Sequence, residues 1–195
     1  MAIDRLLRAN RTIMLVPVID GPTGDPILIG ADGSKCPFST PTAAVLNTWV
    51  GITTTVPAAA SNGGNISCAL LDDVTLGMAD SDTDDELSIC SIGNESTPTF
   101  YNVDASLTAF RDRNPADTGV FNLALQLLNG AGVRYTAVDR FGKPSTAPFA
   151  VGDLMSLFDL TTDNPVDVKE DRSNLKIQQT PKTSGLVNNL YSLAA

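Results

Sequence analysis

Apolar and β-branched segments of strand length recur along almost the whole chain, and a cluster of Gly, Pro, Asn or Asp closes most of them. That punctuation limits the chain to many short strands, because only one segment runs on at helical spacing. TIMLVPVI (12–19) is apolar and β-branched, and Pro17 predicts a place at a sheet edge, since proline cannot donate to a ladder. GPTGDP (21–26) reads as a turn into PILIG, and NTWVGITTT (47–55) has strand composition, followed by the connection VPAAASNGGN. In NISCALLDDVTLGM (65–78), Ile66, Cys68, Leu70, Val74, Leu76 and Met78 alternate onto one face, with Asp72 the exception. ELSIC (86–90) comes next, then YNVDASLTAFR (101–111), whose Val103, Ala105, Leu107 and Ala109 share a face. VRYTAVDRF (133–141), DLMSLFDL (153–160), NLKIQQT (174–180) and GLVNNLYSL (185–193) complete the series.

The exception is a helix at about 115–129. Asn114 suits an N-cap, Pro115 the first helical position and Asp117 the first turn. Val120, Ala124, Leu127 and Leu128 form its packing face, with Phe121 and Leu125 beside them, and Gly130 ends it. Gly119 weakens the first turn, which moves the expected start toward residue 119. Many strands with one helix mean a mainly β fold, a sandwich or barrel. The 195 residues show no internal repeat and no dividing linker, so one domain over 1–195 is expected. Within it, 1–11 reads as an N-terminal arm, 31–65 as a long loop or insertion and 79–100 as an acidic loop region.

Charge is distributed unevenly. The net charge is −9, and residues 72–117 hold eleven acids against Arg111 and Arg113, while the segments on either side are balanced. Such a chain lacks the clustered Lys and Arg that neutralise phosphates, but an acidic wall would keep DNA from sticking. The densest stretch is ADSDTDDE (79–86), with Asp80, Asp82, Asp84, Asp85 and Glu86. It begins like a calcium loop, yet Asp85 stands where the turn glycine is required and Ser91 where the final bidentate acid is required. No cofactor or metal is therefore expected.

The chain has no histidine, which removes Ser-His-Asp and Cys-His chemistry and imidazole ligation. Cys36, Cys68 and Cys90 are odd in number and lie far apart, which argues against a zinc site or a disulfide framework and fits a reducing compartment. Ser173 to Lys176 fits SxxK and Lys182-Thr183-Ser184 approximates KTG, but they lie far too close together for the serine enzymes that use those motifs. Enzymatic activity is not expected. Arg5, Arg8 and Arg11 precede the apolar run, but Pro17 and the missing small-residue cleavage site argue against a signal peptide. No run approaches the ~20 apolar residues of a membrane span, so a soluble protein is expected.

The order ADSDTDDELSIC, YNVDASLTAFRDR, DTGVFNLALQLLNG, VRYTAVDRFGKPSTAPFAVGDLMSLFDLTT resembles the major tail tube protein of long-tailed bacteriophages, most closely those infecting actinobacteria. The resemblance covers about residues 64–190 and is most specific in LTAFRD, RFGKP and APFAVGD; it is weaker over the first sixty residues. It implies a β-sandwich or half-barrel with one helix at its side, whose sheets join those of neighbours into an inner β-barrel. It also implies hexameric rings stacked into a tube, with no cofactor and no membrane, through which DNA passes without specific binding. The implied partners are other copies of the chain and the tape-measure, tail terminator and distal tail proteins, in the host cytoplasm during assembly and in the virion tail afterwards. Stacking would use the long loop, here ADSDTDDE, and the terminal arms, so Arg5, Arg8 and Arg11 are expected to face Asp80, Asp82, Asp84, Asp85 and Glu86 across a ring boundary. A β-sandwich decoration module is the alternative, but a single Trp49 offers no aromatic platform.

Overall fold

The computed structural model describes residues 10–54, 63–84, 97–100, 102–169 and 174–194. In chain order these form β1 (Arg11–Ile19), β2 (Ile27–Ile29), β3 (Lys35–Pro37), α1 (Ala43–Val50), β4 (Gly64–Asn65) and β5 (Thr75–Met78). There follow β6 (Asp82–Asp84), β7 (Thr97–Phe100), β8 (Val103–Phe110), α2 (Val120–Leu128) and β9 (Arg134–Phe141). The last elements are β10 (Leu154–Thr161), β11 (Val166–Val168), β12 (Lys176–Gln179) and β13 (Lys182–Ser192). A seven-stranded sheet, curled as a half-barrel, runs β13-β10-β9-β1-β2-β3, with β4 also on β1. A second sheet runs β11-β12-β8-β5, and β6 and β7 make a separate antiparallel ribbon. The fold is mainly β, as the strand pattern predicts, but it carries two helices rather than one.

The central strands of the half-barrel sheet are buried on both faces. Along β1, Ile13 and Leu15 join a core with Tyr135, Ala137, Phe158 and Leu160, under α2 and the second sheet. The alternate residues Met14 and Val16 join Val138, Met155 and Leu157 beneath α1, Leu28 and Phe149. An apolar run with no polar alternation is what a strand covered on both sides requires.

Pro17 is not at an edge. It pairs with Tyr135 of β9, while on the other side β4 holds Met14 and Leu15 and β2 begins at Val18. The Pro17 ring faces Gly63, where an added β-carbon would lie 2.7 Å from Cδ, so the missing donor falls in the gap between two short strands.

The second helix replaces the strand predicted at 47–55 and lies in the stretch read as a loop or insertion. Thr42 caps it, accepting the Val45 amide at 3.5 Å, and Val45, Leu46, Trp49 and Val50 are buried at helical spacing. The strand reading began at Asn47 and so cut that stripe in half; packing overrides the β-propensity of Thr, Trp and Val. The Trp49 indole nitrogen donates to the Ile29 carbonyl at 2.8 Å.

The alternation predicted over 65–78 is also broken. Only Gly64–Asn65 and Thr75–Met78 are strand, with a 3₁₀ turn at Ser67–Ala69 and Cys68 exposed. Asn65 Oδ1 accepts both the Ser67 hydroxyl, at 2.6 Å, and the Ser67 amide, at 3.3 Å. Such local bonds compete with a ladder. The segment ELSIC and the connection at 55–62 lie outside the described residues.

Helix α2 starts at Val120, later than Asn114 predicts, with Gly119 as an N-cap that offers no side chain. Asn114 and Asp117 instead close a turn of their own, Asn114 Oδ1 accepting the Ala116 amide and Asp117 Oδ1 the Thr118 amide. Asn122 Nδ2 then ties that turn to the helix, donating to the Asn114 and Asp117 carbonyls at 2.8 Å each. Ala124, Leu127 and Leu128 are buried together with Leu123, and Val120 is partly buried against the same core. Leu127→Ala should lower unfolding free energy by about 2–5 kcal/mol. A denaturant melt measures this, and an unchanged midpoint would mean that this face is not packed.

Candidate assembly surface

Asp82–Asp84 of the acidic stretch form one strand of a ribbon. β5 pairs with β8, and the chain between them leaves as β6 and returns as β7, with Asp82 opposite Phe100 and Asp84 opposite Thr97. Asn102 fixes the base of this excursion: its Nδ2 donates to the Asp80 carbonyl at 3.0 Å and to Asp82 Oδ1 at 3.1 Å. Asp104 stands in the same cleft as Asp80 and Asp82, which adds a third acid near the ribbon's root. Asp85 and Glu86 lie outside the described residues, as do Arg5 and Arg8. Among the described residues no three acids or thiols are grouped to hold a metal ion.

Arg11 does not belong to an arm. It opens β1, and its guanidinium forms a two-point bond to Asp139, Nε to Oδ1 at 2.8 Å and Nη2 to Oδ2 at 2.6 Å, while lying over the Phe141 ring. Asp139 is 1% exposed, so this pair stakes the start of β1 to β9 from inside. At the far end of β9, Arg134 grips the buried Asp159 of β10 through Nε and Nη2 and also pairs with Asp20. Asp159 holds Arg134 above the ordinary arginine range, and its Oδ2 also accepts the Ser184 hydroxyl at 2.5 Å. Ser184 and Lys182, which pairs with Asp163, thus have structural roles in β13.

The segment after β9 folds over a buried arginine. Arg140 donates from Nη2 to Thr12 Oγ1 (3.0 Å) and the Pro144 carbonyl (2.8 Å), and from Nη1 to the Pro148 carbonyl (3.1 Å). Its guanidinium lies 4.3 Å from the Phe149 ring centre and 3.4 Å from Asp153. Asp153 in turn accepts the Ala150 amide and pairs with Lys143 at 2.5 Å. Asn47 of α1 makes two bonds to the Phe149 backbone, and Asn65 donates to the Ser145 carbonyl. RFGKPSTAPFAVGD is therefore a loop clamped by its own Arg140 and Asp153. The sequence signal was an arginine and an aspartate bracketing a loop rich in Pro and Gly, which spacing alone does not turn into a contact.

β13 is the outermost strand of the half-barrel, and it is irregular. Its register against β10 slips twice, near Gly185 (φ 79°) and Leu190 (φ 51°). Side chains satisfy the displaced backbone: Ser184 Oγ accepts the Leu186 amide, and Ser156 Oγ accepts the Leu190 amide while donating to Asn189. Bulges of this kind blunt an edge against indiscriminate pairing. Leu186 and Leu190 remain exposed there.

A sequence model described as phage tail tube protein matches residues 39–195. The chain belongs to that family. It is a structural protein of a phage tail. The match spans α1 and the clamp loop of this tail tube protein as well as the ribbon. No curated protein matches the chain.

Asp139 and Asp153, both buried in this tail tube protein, respond to pH with opposite signs. Burial lifts the Asp139 carboxyl above its ordinary value of 3.8, against the pull of Arg11. At Asp153 burial also pushes upward, but Lys143, the Ala150 amide and Arg140 outweigh it and hold the carboxyl below 3.8. The contribution of Asp153 is thus present above pH 3.8 and lost as pH falls through its lower folded value. That of Asp139 is largest below pH 3.8 and is lost as pH rises through its higher folded value. In denaturant melts from about pH 3 to about pH 7, the wild-type advantage over Asp153→Asn should shrink toward acid, while that over Asp139→Asn should grow. Curves that stay parallel would contradict both assignments.

Proposed function

We propose that this chain is the major tube subunit of a long-tailed phage with an actinobacterial host. Six copies close into a ring, rings stack head to tail into an open filament, and the acidic lumen conducts the genome. The observation that carries this reading is the family match over residues 39–195. Two features support it. The β13 edge carries exposed Leu186 and Leu190 on a strand whose other neighbour is absent among the described residues, which suits a lateral contact between copies. The acid surplus of residues 72–117 includes Asp80, Asp82 and Asp84 of the ribbon region, and that charge keeps phosphates from adhering during transit. The ribbon reaches the next ring and meets basic groups there, aligning rings more than binding them. Tape-measure, tail terminator and distal tail proteins complete the assembly, which forms in the host cytoplasm.

Negative-stain electron microscopy of the purified protein, alone or with its tail partners, should show rings or tubes with six-fold symmetry. A compact monomer persisting inside assembled virions would overturn the proposal and favour a surface decoration module. Duplex DNA should bind no better than background at physiological salt. A micromolar affinity that falls steeply as salt rises would refute the acidic lumen.

A further inference from the structure

Arg111 and Arg113, the bases of the acid-rich stretch 72–117, lie together in one surface cleft of about 400 Å³. It opens just past the end of β8, where the Arg111 amide donates to the Leu175 carbonyl at 2.9 Å. One wall is aromatic. Phe110 and Phe121 of α2 meet edge to face, with ring centres 6.4 Å apart, and both side chains are only half-buried. Arg111 is held by Asp167 at 3.0 Å, and Asp112, the acid in this cleft, accepts the Asn114 amide at 2.8 Å. Arg113 is exposed and makes no ion pair among the described residues. It is a guanidinium beside half-exposed rings with no acid set against it. A carboxylate arriving there is attracted more strongly than at an open surface, because the rings displace water.

The opposite end of the same strand carries the opposite charge. Asp104, near the start of β8, lines the cleft at the root of the ribbon together with Asp80. Both are exposed, and neither carboxylate makes an ion pair among the described residues. From Asp104 to Arg111 the chain runs roughly 23 Å as strand. A chain that stacks head to tail needs unlike, complementary faces at its two ends, since one contact must repeat in a single direction without closing. The two ends of β8 supply such a pair. Arg11 cannot serve as the basic face, because Asp139 takes it inside the fold.

We propose that the Phe110–Phe121 cleft of one copy receives the root of the acidic ribbon of a second copy, Arg113 and Arg111 meeting Asp80 and Asp104. This contact rests on the head-to-tail stacking proposed above and names its two faces. Charges at such a boundary align the incoming copy and speed its encounter more than they hold it.

Sedimentation and negative-stain microscopy of the full chain with its tail partners test the contact. Arg113→Glu and Asp80→Arg/Asp104→Arg should each form tubes at least about tenfold more slowly than wild type, with unchanged denaturant melts. Arg113→Gln, which adds no charge, should show a smaller loss in the same direction. Combining Arg113→Glu with Asp80→Arg/Asp104→Arg in one chain exchanges the signs of both faces, and should bring the rate back to within about threefold of wild type. Tubes that form in Arg113→Glu as fast as in wild type would overturn the contact and leave the stacked tube standing. So would a defect that the combined variant does not repair, or one confined to Arg5→Glu/Arg8→Glu. Wild type that never forms tubes would overturn the stacked-tube reading and the contact with it.

Discussion

The structure depends on one strand being buried from both sides. Residues Thr12 to Val16 of β1 are all buried, and they alternate between the core under α2 and the core under α1. Each fully buried apolar side chain of this kind contributes about 1.5–3 kcal/mol, so a short stretch joins two layers that would otherwise have little in common. β9 and β10 repeat the arrangement, with Ala137 and Phe158 on one side and Val138 and Leu157 on the other. The second sheet and both helices then exist as covers for a sheet that has no solvent face at its centre.

Such a sheet leaves little freedom for its charged residues, and the buried ones on its central strands are used in pairs. Asp139, Arg140 and Asp159 sit on the central strands with almost no exposure, and each meets an opposite charge. Removing one partner from a buried pair leaves an uncompensated charge, which is far more damaging than the pair is stabilising. These pairs therefore act as position markers. Arg11 with Asp139 sets where β1 begins, Arg134 with Asp159 ties one end of β9 to β10, and Arg140 with Asp153 decides the course of the loop between those strands.

For a tail tube protein this division has a consequence. Doubly covered strands occupy the middle, while the exposed features lie at the periphery: the bulged β13 edge with its exposed leucines, and the acidic ribbon. Bulges at Gly185 and Leu190, with their backbone groups satisfied by Ser184 and Ser156, keep that edge from pairing with any strand that passes.

The sequence by itself determined the strand-rich class, the position of most strands from β8 to β13, and the location of α2's apolar face, because those segments have strand composition closed by turn residues or carry helical spacing. It also located the charge surplus, which is a matter of counting. The failures share one physical cause. IMLVPVI has no period, so its two faces and its central place were invisible, and Pro17 was sent to an edge because the gap between β4 and β2 exists only in three dimensions. α1 has residues of high β-propensity that become helical only because Val45, Leu46 and Trp49 find a core to fill. The predicted alternation through Ser67 gave way to side-chain bonds with Asn65. Tertiary structure alone decided that Arg11 would pair with Asp139 and that Arg140 would donate to Thr12. Each requires two distant segments to meet, and burial, unlike periodicity, is a property of the meeting.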